Sequence, residues 1–320
     1  MKCPSCGAYN PEGAAFCDLC ARRFGPELSA SAPAAVPPQA DALPGAAGRR
    51  KFSRRVYLSL IIVASVVIIG TLGYMLLSAG GQHSKPKDIS VLFIGNSYTS
   101  VKNLPLAVSE ISTSLGDKLT YGMSAPGGFT LRQHATYQNT ISEIQSRKWD
   151  SVVLQEQSQI PAIYSDTEKA RYITPYAQQL NSMIHQANAS SRTVLFETWG
   201  RKNGDSEYFM RIPAVGTYSG DQALISATYE QLAAALPATL APVGMAWSSV
   251  RQSHPGIELY QADGSHPSDE GNYLSACVFY DVLFNAPVTG ASPLTIDPSQ
   301  AKVLQETADQ TVFPASKVSK

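Results

Sequence analysis

From residue 88 onward, short apolar runs alternate with longer stretches in which apolar residues recur at helical spacing. Residues 89–94, 119–123, 151–154 and 193–196 read as short buried strands. After the first of them, Leu104, Val108, Ile111 and Leu115 share one helical face. Pro105 suits the first turn of that helix, where a missing N–H leaves nothing unpaired. Residues 166–188 and 219–236 read as further helices, and Ser268 reads as the cap of another. Strands alternating with amphipathic helices predict a parallel sheet covered on both faces. Ligands of such sheets sit at the carboxyl ends of the strands. Residues 291–320 lack a clear motif, and their Pro, Ser and Lys content predicts a loosely packed tail.

A different pattern occupies residues 56–79, VYLSLIIVASVVIIGTLGYMLLSA, which carry no charge. About 20 mostly apolar residues span a bilayer as a helix, so this run predicts one transmembrane span. A cleaved signal peptide would lie at the very start of the chain, and a buried core helix is rarely apolar on every side for so long. The preceding segment RRKFSRR, residues 49–55, holds five basic groups, whereas only Lys85 and Lys87 follow the span closely. Basic excess marks the cytoplasmic side, which places the N-terminus inside and the domain at 88–290 outside. Residues 26–55 join an Ala/Pro-rich flexible linker to that basic juxtamembrane segment.

Charge sharpens the division. Residues 88–320 hold 15 Lys and Arg against 21 Asp and Glu, whereas the first 87 residues hold 10 against 4. An acidic domain of this size is poorly suited to nucleic acid, whose binding rests on neutralising phosphates. Cysteine is equally uneven: Cys3, Cys6, Cys17 and Cys20 open the chain, and only Cys277 follows. Two CxxC knuckles separated by ten residues offer four thiolates to one tetrahedral ion, and sulfur ligands suit zinc. A redox-active CxxC and paired disulfides are the other chemistries of this spacing, and a cytoplasmic location disfavours the disulfides. The stretch CPSCGAYNPEGAAFCDLC resembles the zinc-ribbon modules at the N-termini of many bacterial membrane proteins. That resemblance implies a small metal-folded knob with a structural zinc in residues 1–25; its cytoplasmic partner is unknown, and the resemblance says nothing of what the knob touches.

Within the outer domain, VLFIGNSYTS carries a strand straight into small polar residues and leaves Ser97 at a strand end. A serine nucleophile needs a base within reach and a group that orients the base. The segment ADGSHPSDEGNYLSA supplies Asp263 and His266, three residues apart, ahead of the Ser268 cap. Ser253-His254-Pro255 is a rival, but Arg251 stands three residues before His254, where a carboxylate would be needed. Asp88, His134 and His185 have no comparable companion.

Gly95-Asn96-Ser97 with Asp263-Gly-Ser-His266-Pro-Ser resembles the SGNH hydrolases, the GDSL-like esterase superfamily, over residues 91 to the helix after His266. The resemblance implies a three-layer α/β/α sandwich with a mostly parallel, flavodoxin-like sheet. It implies Ser97 as nucleophile, His266 as base and Asp263 as orienter, with no cofactor in catalysis. An oxyanion hole would combine the Ser97 N–H, the Gly128 N–H in SAPGGFT (Gly127 being the other candidate) and the Gln157 amide. The family reads Gly-x-Asn-Asp at this last block, whereas this chain reads Gln155-Glu156-Gln157-Ser158, closer to a GNS-type branch. The expected function is a membrane-anchored extracytoplasmic serine esterase acting on acyl esters, O-acetyl groups of polysaccharide in particular. An O-acetyltransferase acting on cell-surface glycans and a non-catalytic scaffold are the competing readings. Trp149, Trp199 and Trp247 lie near strands and read as core more readily than as sugar platforms.

Overall fold

A computed structural model of the chain describes residues 85–314. The four N-terminal cysteines, the linker and the 56–79 span lie outside the described residues. Among the described residues no helix is long and apolar enough to cross a membrane, and no group of three or more His, Cys, Asp or Glu side chains is placed to hold a metal ion.

The domain opens with β1 (Asp88–Ile94), the short helix α1 (Ser97–Ser100), α2 (Leu104–Ser114) and β2 (Lys118–Ser124). Two short helices, α3 (Leu131–His134) and α4 (Gln138–Gln145), lead to β3 (Ser151–Leu154). Then come α5 (Ile160–Ile163), α6 (Asp166–Tyr172), α7 (Thr174–Ala187) and β4 (Arg192–Phe196). After a single 3-10 turn at Pro213–Gly216, the chain continues through α8 (Tyr218–Ala235), β5 (Ala238–Ala241), α9 (Val243–Ser253), α10 (Asp269–Phe284) and α11 (Pro298–Val312).

All strand pairs are parallel and the order is β2-β1-β3-β4-β5, the flavodoxin-like arrangement. The register aligns Ile94 with both Ser124 and Leu154, Leu154 with Leu195, and Phe196 with Ala241. The loops that start at Gly95, Ala125, Gln155 and Glu197 therefore leave one edge of the sheet side by side. Alternate strand residues enter two cores. Val91, Phe93, Val153, Val194 and Phe196 face α2, α9, α10 and α11, whereas Leu92, Ile94, Val152, Leu154 and Leu195 face α4, α5, α7 and α8. Helices on both faces make the expected three layers.

Three local differences from the sequence pattern have physical causes. The helix expected over 166–188 is broken at Ile173, whose φ of −114° precedes a new first turn containing Pro175. β5 carries the weakly apolar sequence ATLA on the sheet edge, where a strand is half exposed and leaves no apolar run to read. The segment expected to be a loose tail contains α11. Asp297 caps it by accepting from the Ser299 and Gln300 N–H groups, and Ala301, Leu304 and Ala308 are buried against α10. Asp281 of α10 is fully buried, and burial followed by the nearby Asp309 charge pushes its carboxyl up to about 10.

Candidate active site

Gly95, Asn96 and Ser97 turn sharply where β1 leaves the sheet. A Cβ on Gly95 would lie 2.4 Å from Thr99 Oγ1 and 2.5 Å from Gln155 Oε1, so only glycine fits. Asn96 caps α1, its Oδ1 accepting the Tyr98 N–H at 3.1 Å. Its Nδ2 donates to the Phe129 carbonyl at 3.0 Å, which fastens the loop after β2 to the turn that carries Ser97. Behind the turn, buried His134 donates from Nε2 to the Gly95 carbonyl at 2.7 Å, and its Nδ1 accepts from Thr140 Oγ1 at 2.8 Å. Burial lowers this imidazole to about 4, so it is neutral and acts as a brace.

Ser97 Oγ lies 2.9 Å from His266 Nε2, and His266 Nδ1 lies 2.5 Å from Asp263 Oδ2. The other Asp263 oxygen accepts the Ser265 and His266 N–H groups at 2.9 and 3.0 Å. Burial raises the Asp263 carboxyl, but the hydrogen bonds from His266 and the two backbone groups outweigh it and hold the group below its ordinary value. The carboxylate is thus ionised, fixed by three donors and aimed at the imidazole. The structure brings all three predicted side chains together across 169 residues of sequence. The rival His254 sits exposed just past α9, and the Arg251 guanidinium stacks 4.0 Å above the Tyr218 ring centroid.

The loop carrying His266 is held by the segment that follows β4. Trp199 Nε1 donates to the Ser265 carbonyl at 2.9 Å, and the Lys202 N–H donates to the Gly264 carbonyl at 2.9 Å. Tyr98 joins this loop to the Ser97 turn. Its hydroxyl is 2.9 Å from Ser265 Oγ, its ring meets His266 at a centroid distance of 5.7 Å, and it stacks on Trp199 at 4.6 Å. Trp199 stacks in turn on Trp247 at 3.8 Å. All three tryptophans are buried, so they are core supports and not exposed platforms.

The expected oxyanion donors are placed less uniformly. Among the described residues, neither the Ser97 N–H nor the Gly128 N–H has an acceptor. Gly128 takes φ +72°, a left-handed turn that favours glycine, whereas Gly127 does not adopt positive φ. The Gln157 amide is turned onto its own chain. Its Oε1 accepts the Gln159 and Ile160 N–H groups at 2.8 and 3.0 Å, while Nε2 donates to Gln159 Oε1 at 3.3 Å. One amide N–H is left over.

The neighbouring residues Gln155 and Glu156 make buried contacts that sequence reasoning missed. Buried Gln155 accepts the Asn96 N–H at 3.0 Å and the Thr99 hydroxyl at 2.9 Å. Buried Glu156 accepts the Leu131 N–H at 3.1 Å and the Gln157 N–H at 2.7 Å through Oε1, which ties the loops after β2 and β3 together. Among the described residues its Oε2 has no hydrogen-bond partner, and burial pushes the carboxyl up to about 8. The only sequence signal was the Gln-Glu-Gln cluster at a strand end.

A polar cavity of about 450 Å3 opens beside Asp263, lined by Arg201, Lys202, Asp205 and Glu207 among others. No family model matches the chain, and no curated protein matches it either. Among solved structures, a DUF4886 family protein from Bacteroides uniformis superposes with a TM-score of 0.61 at 22% identity, covering 71% of this chain and 96% of that one. A candidate SGNH hydrolase from Slackia heliotrinireducens superposes with a TM-score of 0.50 at 26% identity, covering 61% of this chain and 99% of that one. Residues 85–314 thus share the α/β fold of SGNH-type proteins, with a serine, an imidazole and a carboxylate in line at the carboxyl edge of the sheet.

Proposed function

We propose that the chain is a serine esterase of SGNH type, anchored in a membrane by residues 56–79, with its catalytic domain on the extracytoplasmic side. The observation that carries the reading is the unbroken line from Ser97 Oγ through His266 to Asp263, at 2.9 and 2.5 Å. Ser97 Oγ attacks the ester carbonyl while His266 Nε2 takes its proton, and Asp263 accepts from Nδ1–H and steadies the imidazolium. The oxyanion meets the Ser97 and Gly128 N–H groups and the remaining Gln157 amide N–H; one such donor is worth about 3 kcal/mol of barrier. His266 returns the proton to the leaving alcohol. It then activates the water that releases the acyl group. The polar cavity beside Asp263 supports an alcohol portion rich in hydroxyls, hence O-acetyl esters of polysaccharide.

A fluorophosphonate probe tests the chemistry. Wild-type chain should be labelled and Ser97→Ala should not; unlabelled but folded wild type would leave a scaffold role instead. In the same proposal, Cys3, Cys6, Cys17 and Cys20 bind one structural zinc on the cytoplasmic side. One equivalent of zinc in the purified chain, lost in the Cys17→Ser/Cys20→Ser variant, is the expected result.

A further inference from the structure

A second cavity, of about 320 Å3, is lined by Thr130, Arg132, Gln133, Ile160, Tyr164 and Tyr172. It borders the site on the glycine-loop side: Thr130 follows Phe129, whose carbonyl holds the Asn96 side chain. Ile160 adjoins Gln159, which lines the polar cavity beside Asp263. The two cavities therefore flank the turn at residues 157–160.

Their chemistry differs. The cavity beside Asp263 carries Asp205, Glu207 and Asp263 against Arg201 and Lys202, and Lys202 is already paired with Glu258. The second cavity has one charged lining residue, Arg132. Arg132 is exposed, and among the described residues its guanidinium has no ion-pair or hydrogen-bond partner. It is nevertheless positioned, with its central carbon 5.6 Å from the Tyr172 ring centroid and 5.7 Å from that of Tyr176. A guanidinium held beside ring faces by cation–π attraction still has its N–H groups free to grip a carboxylate. Tyr164 and Tyr172 meet at 63° with centroids 6.0 Å apart and give the cavity aromatic walls. The nearby acid Glu168 is occupied by the Ser165 N–H and hydroxyl that begin α6.

We infer that this cavity is a subsite for a carboxylate-bearing sugar ring, stacked on tyrosine and gripped by Arg132, so that the ester cleaved at Ser97 belongs to a uronic-acid-containing glycan. The inference rests on the esterase reading for its substrate but not for its binding step. The positioned guanidinium loses little freedom on engaging an anion, which lowers the cost of association.

The test compares full chain and Arg132→Gln on O-acetylated polygalacturonate and O-acetylated mannan, an acidic and a neutral glycan. Charge-assisted hydrogen bonds contribute roughly 1.5–3 kcal/mol, so the ratio of kcat/KM for acidic over neutral ester should fall by about 10- to 100-fold in the variant. Calorimetry on Ser97→Ala with deacetylated oligogalacturonate supplies the second arm. Binding should weaken by the same factor when Arg132→Gln is added, recover in part with Arg132→Lys, and exceed binding of a mannan oligomer. A selectivity ratio that does not move, or equal binding of the neutral and acidic oligomers, overturns the inference. If no ester is cleaved at all, the esterase reading fails and the binding arm alone decides this one.

Discussion

Replacing Glu156 by Gln tests the physical account of the loops around Ser97. In the native state Glu156 Oε1 accepts two backbone N–H groups, Oε2 has no partner among the described residues, and burial raises the carboxyl from 4.5 to about 8. Between those two values the unfolded chain has released the proton while the folded chain still holds it. Folded stability therefore falls as pH rises through this window, and the contribution of protonated Glu156 is complete only below about 4.5. Each pH unit inside the window costs about 1.4 kcal/mol, so from pH 4.5 to 7 the loss is about 3 kcal/mol. Gln keeps the acceptor for Leu131 and Gln157 and nearly the same shape, but it does not titrate. The unfolding free energy of Glu156→Gln minus that of wild type should accordingly grow by about 3 kcal/mol over that range. Titrations elsewhere cancel in the difference. Urea unfolding followed by tryptophan emission is a suitable assay, because the chain's three tryptophans are Trp149, Trp199 and Trp247, all buried in this domain. A difference that stays flat within about 1 kcal/mol would mean that Glu156 is ionised in the folded protein, and the reasoning about its burial would fail.

Other changes probe separate parts of the site. Asp263→Asn keeps an acceptor for the Ser265 and His266 N–H groups but turns an NH2 toward Nδ1, which forces the tautomer unable to accept from Ser97; esterase kcat should drop by about 10^4-fold with KM little changed. Gly95→Ala drives a methyl into Thr99 and Gln155, and thermal or urea unfolding should show a loss of about 1–3 kcal/mol together with lost probe labelling of Ser97. Leu304→Ala empties a fully buried position between α11 and α10, and urea unfolding should report about 2–5 kcal/mol; a loss near zero would return α11 to the status of a loose appendage.

The parts of the fold that were legible in sequence are those whose burial is complete. β1 and β3 are covered on both faces, so VLFI and VVL stand out as apolar runs, and α2 shows its spacing because one side faces the sheet. β5 and α11 hid for the opposite reason, the first half exposed at an edge and the second presenting only a narrow stripe of Ala301, Leu304 and Ala308. At the site, Ser97, Asp263 and His266 could be paired because reactive groups come in chemically complementary sets. Tyr98, Gln155 and Glu156 could not, since their roles depend on which loops the sheet register sets side by side. A glutamate in a polar loop gives no sign that its carboxyl will be sealed from water.

Chain order adds a temporal consequence to the pairing of Ser97 with His266. All five strands are complete by Ala241, yet the imidazole comes 169 residues after the serine. At about 5–20 residues per second, synthesis leaves a newly made Ser97 without its proposed base for roughly ten to thirty seconds. Under the proposed serine chemistry, a fragment ending before Asp263 would contain every strand of the sheet and lack both the proposed base and its orienter, so activity would arrive only with the last quarter of the domain.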